Sequence, residues 1–147
     1  MAIVVVAADG KWVRDQVRTA VTTPGTTVVE ITRGQDVRGA VAAHSPDVVV
    51  LDLQIANMGG IAVAIDLHLE ADAGRIPAVP VLLLLDREHD RFIAQRADAD
   101  AVLVKPVDPG TLRRTVQGLL DGAANRPGVE NAPDPRPETD APEAVGA

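Results

Sequence analysis

The most informative part of the chain is an apolar run that contains an acid near its end, Pro46-Asp47-Val48-Val49-Val50-Leu51-Asp52-Leu53, and a loop with Gly59-Gly60 follows it. A continuous valine-rich run bounded by turn residues is typical of a strand buried on both faces of a parallel sheet. Ligands of such sheets bind just beyond the carboxyl ends of the strands. A carboxylate there is costly to bury unless it is paired, bound to a metal or used chemically, so Asp52 is the first candidate site residue.

Apolar runs alternate with helical patterns along the rest of the chain. Strands are predicted at residues 3–7, 27–31, 48–53, 81–85 and 101–104, and a helical pattern follows each of them, the fourth from about Glu88 to Ala97. Such alternation favours right-handed crossovers and a parallel sheet covered on both faces. We therefore predict an α/β, flavodoxin-like three-layer sandwich with five helices, in which the five parallel strands have the order 2-1-3-4-5.

The composition limits the classes of function. The chain has 147 residues, a net charge of −7 and no cysteine. Its length suits one domain, which we place at residues 1–121, whereas the acidic, proline-rich residues 122–147 predict a disordered tail. The lack of cysteine excludes disulfides and thiolate metal sites, and the acidity argues against direct DNA binding. The apolar runs are too short to span a membrane and no secretory signal is visible, so we expect a cytoplasmic protein.

Three charged residues are predicted to converge at one edge of the sheet. In the predicted strand order Asp9 and Asp52 end neighbouring strands, and Lys105 ends strand five on the other side of the crevice. Two carboxylates repel each other unless a cation relieves them, and Mg²⁺ is the natural cation for oxygen ligands. Lys105 offers a positive charge to a phosphoryl group, and an Asp carboxylate can accept one as an aspartyl phosphate.

These residues resemble the receiver domain of bacterial two-component response regulators, over roughly residues 1–121. The run that ends near Asp52 is similar to the family's phosphoacceptor strand, which implies that Asp52 is the phosphoacceptor. The Lys105-Pro106 dipeptide is similar to the family's Lys-Pro, usually a cis peptide, which implies that Lys105 contacts the phosphate.

The resemblance also implies a metal site. Asp9 falls on the second acid of the family's acidic pair, so it would coordinate Mg²⁺ together with Asp52. Gln54 falls where the family supplies a backbone carbonyl to the metal, and its side chain matters little there.

Four positions depart from the family's pattern. Ala8 replaces the first acid of the pair, and Ala56 replaces the usual proline of the loop after the phosphoacceptor. The hydroxyl residue at the end of strand four falls on Leu85, and the aromatic residue of strand five falls on Val102. Leucine cannot donate a hydrogen bond and valine has no ring to reorient, so we expect weakened coupling between phosphorylation and the surface of helix four.

The resemblance implies an atypical, stand-alone receiver that takes a phosphoryl group from a histidine kinase or phosphotransfer protein. Its output would be contact with an unidentified downstream protein, and a homodimer through helix four and strand five is left open. We expect no enzyme activity beyond autophosphorylation or autodephosphorylation at Asp52.

Other interpretations stay open at this point. The chain could be a pseudo-receiver that acts as an interaction module without phosphorylation, or a small metal-dependent hydrolase of the same fold. Asp52 could be a structural acid that caps the loop or pairs with Lys105, and Lys105 could be an ordinary surface lysine. Asp9 could be the N-cap of the first helix, a role that Asp favours.

Overall fold

Strands and helices alternate through the chain, and the structure, a computed structural model, describes residues 1–124. The elements are β1 (Ala2–Ala7), α1 (Lys11–Val21), β2 (Thr26–Ile31), α2 (Val37–His44), β3 (Val48–Asp52), α3 (Gly60–Asp72), β4 (Val81–Leu85), α4 (Arg91–Arg96), β5 (Ala101–Val104) and α5 (Pro109–Ala124). The first three residues of the predicted tail belong to α5, and the remainder lies outside the described residues. No helix of the described part is long and apolar enough to cross a membrane.

The five strands form one parallel sheet in the order β2-β1-β3-β4-β5, which confirms the predicted topology. Ala7 pairs with Leu51 across β1 and β3, and Asp52 pairs with Leu84 across β3 and β4. Every residue of β3 and β4 is buried, because these central strands are covered on both faces. Their continuous apolar sequences are thus the direct consequence of their place in the sheet.

Two helical layers cover the sheet. Helices α1 and α5 cover one face, and α2, α3 and α4 cover the other, each over its own apolar cluster. Along α1 the buried residues recur at helical spacing, at Val13, Val17, Ala20 and Val21. Along each strand the side chains alternate between the two layers, so the position of a residue in its strand determines which layer its side chain faces.

The predicted fourth helix, from about Glu88 to Ala97, is shorter than expected. Its first part, Glu88–Asp90, is a 3-10 turn, and α4 itself contains only Arg91–Arg96. The turn arises because the Asp90 N–H donates to the carbonyl of Arg87 three residues earlier. At the other end the Ala97 N–H donates to the carbonyls of both Ile93 and Ala94, which tightens the last turn.

Candidate functional site

Asp52 is the last residue of β3, in the middle of the sheet, and only 4% of its surface is exposed. Its Oδ1 atom accepts two hydrogen bonds, from Lys105 Nζ at 2.7 Å and from the Gln54 backbone N–H at 3.2 Å. Among residues 1–124 no group donates a hydrogen bond to Oδ2. Asp52 Oδ2 is therefore a buried carboxylate oxygen without a hydrogen-bond donor in the described part of the chain.

Lys105 directly follows β5, and its backbone N–H donates to the Leu85 carbonyl at 2.8 Å. The peptide bond between Lys105 and Pro106 is cis, as the resemblance implied. Alternation along β5 directs the lysine side chain to the same layer as Leu103, the layer of α1 and α5. The ammonium reaches Asp52 there, so two of the predicted site residues are in direct contact and Lys105 is not an ordinary surface lysine.

A second acid, which was not predicted, shares this lysine. Asp86 Oδ1 lies 3.0 Å from Lys105 Nζ, and 36% of the Asp86 side chain is exposed. Asp86 directly follows β4, on the same side of the sheet as Leu84. The rule that selected Asp9 and Asp52, an acid at the carboxyl end of a buried strand, would also have selected Asp86.

The two acids determine the charge state of the lysine. Burial disfavours the ammonium, but the hydrogen bonds to Asp52 and Asp86 outweigh that effect, so the pKa of Lys105 lies above its usual value. The lysine is therefore positively charged at neutral pH. It forms a fixed cationic group between two carboxylates at the carboxyl edge of the sheet.

Asp9 is placed differently from the other two acids. Ala8, which is fully buried, follows the residue paired with Leu51 and is thus level with Asp52, so Asp9 lies one position farther out and is exposed. The Asp9 side chain makes no hydrogen bond or ion pair in the described part of the chain. The suggestion that Asp9 is the N-cap of α1 is wrong, because Gly10 holds that position.

The backbone of this strand end is held by Arg14, a residue that the sequence analysis did not select. Its Nη1 atom donates to the carbonyl oxygens of Ala8 at 2.8 Å and Asp9 at 3.0 Å. Its Nε atom pairs with Glu30 on β2 at 3.2 Å. Arg14 thus fixes the backbone of Ala8 and Asp9, and with it the position of the Asp9 side chain.

The donors that could hold a metal ion are all oxygen atoms. They are the carboxylates of Asp9 and Asp52 and the backbone carbonyl of Gln54, to which no group among residues 1–124 donates a hydrogen bond. No group of three or more His, Cys, Asp or Glu residues that could hold a metal exists in that part of the chain. Mg²⁺ usually keeps several waters and binds proteins through one or two carboxylates, so this donor set fits Mg²⁺ in kind.

The loop after Asp52 is fixed by close backbone contacts. A Cβ atom at Gly60, the first residue of α3, would lie 2.7 Å from the Asp52 carbonyl oxygen and 2.9 Å from Leu53 Cα. A Cβ atom at Gly34 would overlap the Met58 carbonyl, and the Gly34 N–H donates to the Ala56 carbonyl at 3.0 Å. The two glycines allow the neighbouring segments to approach the loop that carries Gln54.

Leu85 and Val102, the two apolar residues that were expected to depart from the family's pattern, lie on the α2, α3 and α4 side of the sheet. Leu85 is fully buried in the cluster beneath α2, α3 and α4, and Val102 packs against the same cluster. Asp52, Asp86 and Lys105 face the layer of α1 and α5. Leu85 therefore faces away from Asp52, so the expectation that it takes the place of the family's hydroxyl residue is wrong by one position, and Asp86 is the residue after β4 that faces the site.

Comparisons with known proteins agree with this geometry. Residues 4–117 match the sequence family described as "Response regulator receiver domain". The protein PilH of Pseudomonas aeruginosa is 30% identical over 98 residues, which are 67% of this chain and 80% of PilH. The KDP operon transcriptional regulatory protein KdpE of Escherichia coli is 34% identical over 137 residues, which are 92% of this chain and 56% of KdpE.

Solved structures show the same fold. The chemotaxis response regulator CheY4 of Vibrio cholerae superposes with a TM-score of 0.70 at 22% identity, over 81% of this chain and 98% of CheY4. The signal receiver domain of a signal transduction histidine kinase from Syntrophus aciditrophicus gives a TM-score of 0.73 at 20% identity, over 83% of this chain and 92% of that domain.

Proposed function

The chain belongs to the family of response regulator receiver domains, and on that premise we propose that it accepts a phosphoryl group on Asp52 in two-component signal transduction. The observation that carries the proposal is the contact between Asp52 and Lys105. One carboxylate oxygen of Asp52 accepts a hydrogen bond from the lysine at 2.7 Å, while the other has no donor among residues 1–124. Buried at the edge of the sheet, the second oxygen is available as the nucleophile.

The proposed transfer is a displacement at phosphorus. Asp52 Oδ2 attacks the phosphorus of a phosphohistidine, a P–O bond forms, and the P–N bond breaks with its electron pair left on the imidazole nitrogen. The product is an acyl phosphate on Asp52. The ammonium of Lys105 stabilises the negative charge that arrives with the phosphoryl group.

Receiver domains generally bind Mg²⁺ at the phosphorylation site. In this chain the carboxylates of Asp9 and Asp52 and the backbone carbonyl of Gln54 would hold the ion. Bound Mg²⁺ would supply positive charge that neutralises the oxygens of the transferred phosphoryl group. The donor chemistry of the three residues supports this assignment.

The phosphodonor that we propose is a histidine kinase or a phosphotransfer protein, and the output is contact with another protein. The two aromatic residues of the chain, Trp12 and Phe92, are 65% and 64% exposed. Large exposed apolar side chains are frequent at protein interfaces, which supports an output through protein contacts. Receiver domains are generally signalling modules, so we propose no turnover beyond gain and loss of the phosphoryl group.

Intact-mass measurement after incubation with acetyl phosphate and Mg²⁺ tests the proposal. The wild-type chain should gain one phosphoryl group, because acetate leaves as the P–O bond to Asp52 forms. Asp52→Asn should not gain it, whereas Asp66→Asn, which removes an acid on the far layer, should behave as wild type. A wild-type chain that gains no phosphoryl group from acetyl phosphate or from a histidine kinase would overturn the proposal.

A pseudo-receiver that works without phosphorylation is the second candidate. Two positions favour it: the residue after β4 that faces the site is Asp86, which has no hydroxyl group to donate, and Val102 has no ring that could reorient. Amide NMR with beryllofluoride and Mg²⁺ separates the two candidates. The receiver predicts shifts at the amides around Asp52 and Lys105, whereas the pseudo-receiver predicts an unchanged spectrum.

A further inference from the structure

Lys105 forms ion pairs with two acids, although one would neutralise its charge. Asp52 alone, almost fully buried, is sufficient to neutralise the ammonium of Lys105. Asp86 adds a second carboxylate at 3.0 Å, and this is its only ion pair among residues 1–124. Because the Asp86 side chain is 36% exposed, water could solvate it, so the contact is not enforced by burial.

The two carboxylates repel each other. Each has an oxygen within 3.0 Å of the same nitrogen, so these oxygens are no more than about 6 Å apart, a distance at which like charges disfavour each other. A phosphoryl group on Asp52 replaces one negative charge with about two. Asp86 therefore opposes the product more strongly than it opposes the unmodified site.

The second acid also competes for the lysine. The ammonium must hydrogen-bond the phosphoryl oxygens if it is to stabilise them, and Asp86 holds it toward β4. Any hydrogen bond that Lys105 keeps with Asp86 is unavailable to the phosphoryl group.

We propose that Asp86 is a positioning residue that restrains phosphoryl transfer to Asp52, by holding Lys105 toward β4 and by opposing the incoming negative charge. This inference rests on the proposed function of Asp52. It concerns the rate and the extent of the transfer and leaves the identity of the acceptor unchanged.

Asp86→Asn tests the inference, because it removes the charge and keeps the shape of the side chain. The initial rate of Asp52 labelling by acetyl phosphate with Mg²⁺ should rise about three- to tenfold at low salt, the size expected for one partly exposed charge near the acceptor. The increase should shrink in about 1 M salt, where the screening length is about 3 Å. Asp86→Glu keeps the charge and should label slowly, like the wild type.

Glu88→Gln is the matched control. It removes the same charge from the following turn, where Glu88 is paired with Arg91 at 3.0 Å and its side chain is 72% exposed. Since Glu88 forms no ion pair or hydrogen bond with Lys105, its loss should leave the labelling rate unchanged. Asp86→Ala provides a second neutral variant, and circular dichroism should show that both Asp86 variants keep the wild-type helix content.

The outcomes separate this inference from the proposed function. If wild type and Asp86→Asn label Asp52 at the same rate, or if Glu88→Gln speeds labelling equally, the role of Asp86 is overturned and the phosphoacceptor stands. If neither chain gains a phosphoryl group on Asp52, both proposals fail.

Discussion

The carbonyl oxygen of Asp52 lies so near the Cα atom of Gly60 that a Cβ atom at residue 60 would be 2.7 Å from it. Gly60→Ala should therefore push the start of α3 away from β3 and lower the free energy of unfolding by about 1–3 kcal/mol. Urea unfolding followed by circular dichroism measures this loss.

Gly39→Ala is the control for Gly60→Ala. A Cβ atom at Gly39, inside α2, would have no atom within 4 Å. Because alanine has a higher helix propensity than glycine, this variant should be neutral or more stable by up to about 1 kcal/mol. A loss of stability at Gly39 as large as that at Gly60 would contradict the steric explanation.

Lys105→Ala should destabilise the chain more than Asp86→Ala does. Without the lysine, Asp52 is a charged group with 4% exposure that retains only the hydrogen bond from the Gln54 N–H, and such a loss costs about 1–3 kcal/mol. Without Asp86, the lysine keeps Asp52 as its partner. Equal losses of unfolding free energy in the two variants, measured in urea at neutral pH, would show that Asp52 does not depend on the lysine.

The start of α5 should respond to acid through Asp108. Its Oδ2 atom accepts the Thr111 backbone N–H at 2.9 Å, and this hydrogen bond is the main reason that the pKa of Asp108 lies below its usual value. A lowered pKa means that the stabilisation is present above the unfolded-state pKa, about 3.9, and is lost as the pH falls through the folded-state pKa. Asp108→Ala should therefore lower the Tm at neutral pH, and the difference from wild type should vanish in strong acid.

Asp108→Asn separates the effect of the negative charge of Asp108 from the effect of its hydrogen bond to the Thr111 N–H. Asparagine can accept the same Thr111 N–H and is also a good N-cap residue. The Tm of this variant at neutral pH should therefore be close to that of the wild type, but it should not fall in acid through residue 108. Thermal unfolding of the three chains over a pH series gives the comparison. A difference between wild type and Asp108→Ala that persists in strong acid would contradict the assignment.

Asp9→Ala should abolish Mg²⁺-dependent phosphorylation of Asp52 and leave the fold intact. The Asp9 side chain is exposed and makes no hydrogen bond or ion pair within residues 1–124, so the Tm should change little. Asp72→Ala removes an exposed acid at the far end of α3 and should label as wild type does. Unchanged labelling of Asp9→Ala at limiting Mg²⁺ would remove Asp9 from the metal site.

The sequence predicts the sheet well because its strands are buried on two faces. The bounds of β4, residues 81–85, and of β5, residues 101–104, agree with the prediction. A strand covered by helices on both sides needs an uninterrupted apolar run, and such a run has distinct ends. The start of α4 was less predictable, since the 3-10 turn at Glu88–Asp90 has a pattern similar to that of a helix.

Of the site, the pair of Asp52 and Lys105 was predicted, whereas Asp86 was not. Asp52 and Lys105 were paired in advance because strand order alone brings the ends of β3 and β5 to one edge. The contact of Lys105 with Asp86 depends on the register between β4 and β5, in which Leu85 pairs with Val104. The place of Asp86 directly after a buried strand marks it as a candidate site residue, but its contact with Lys105 depends on that register, which is a property of the folded sheet.

The sheet keeps the ionic residues of the site and two apolar residues on different sides. Asp52, Lys105 and Asp86 belong to the side of α1 and α5, whereas Leu85 and Val102 belong to the side of α2, α3 and α4. Packing on one side can therefore be exchanged while the other side keeps its chemistry. A hybrid could take its α4 side from a more typical relative and its α1 side from this chain. It would reveal whether the α4 surface can be made to respond to phosphorylation of Asp52.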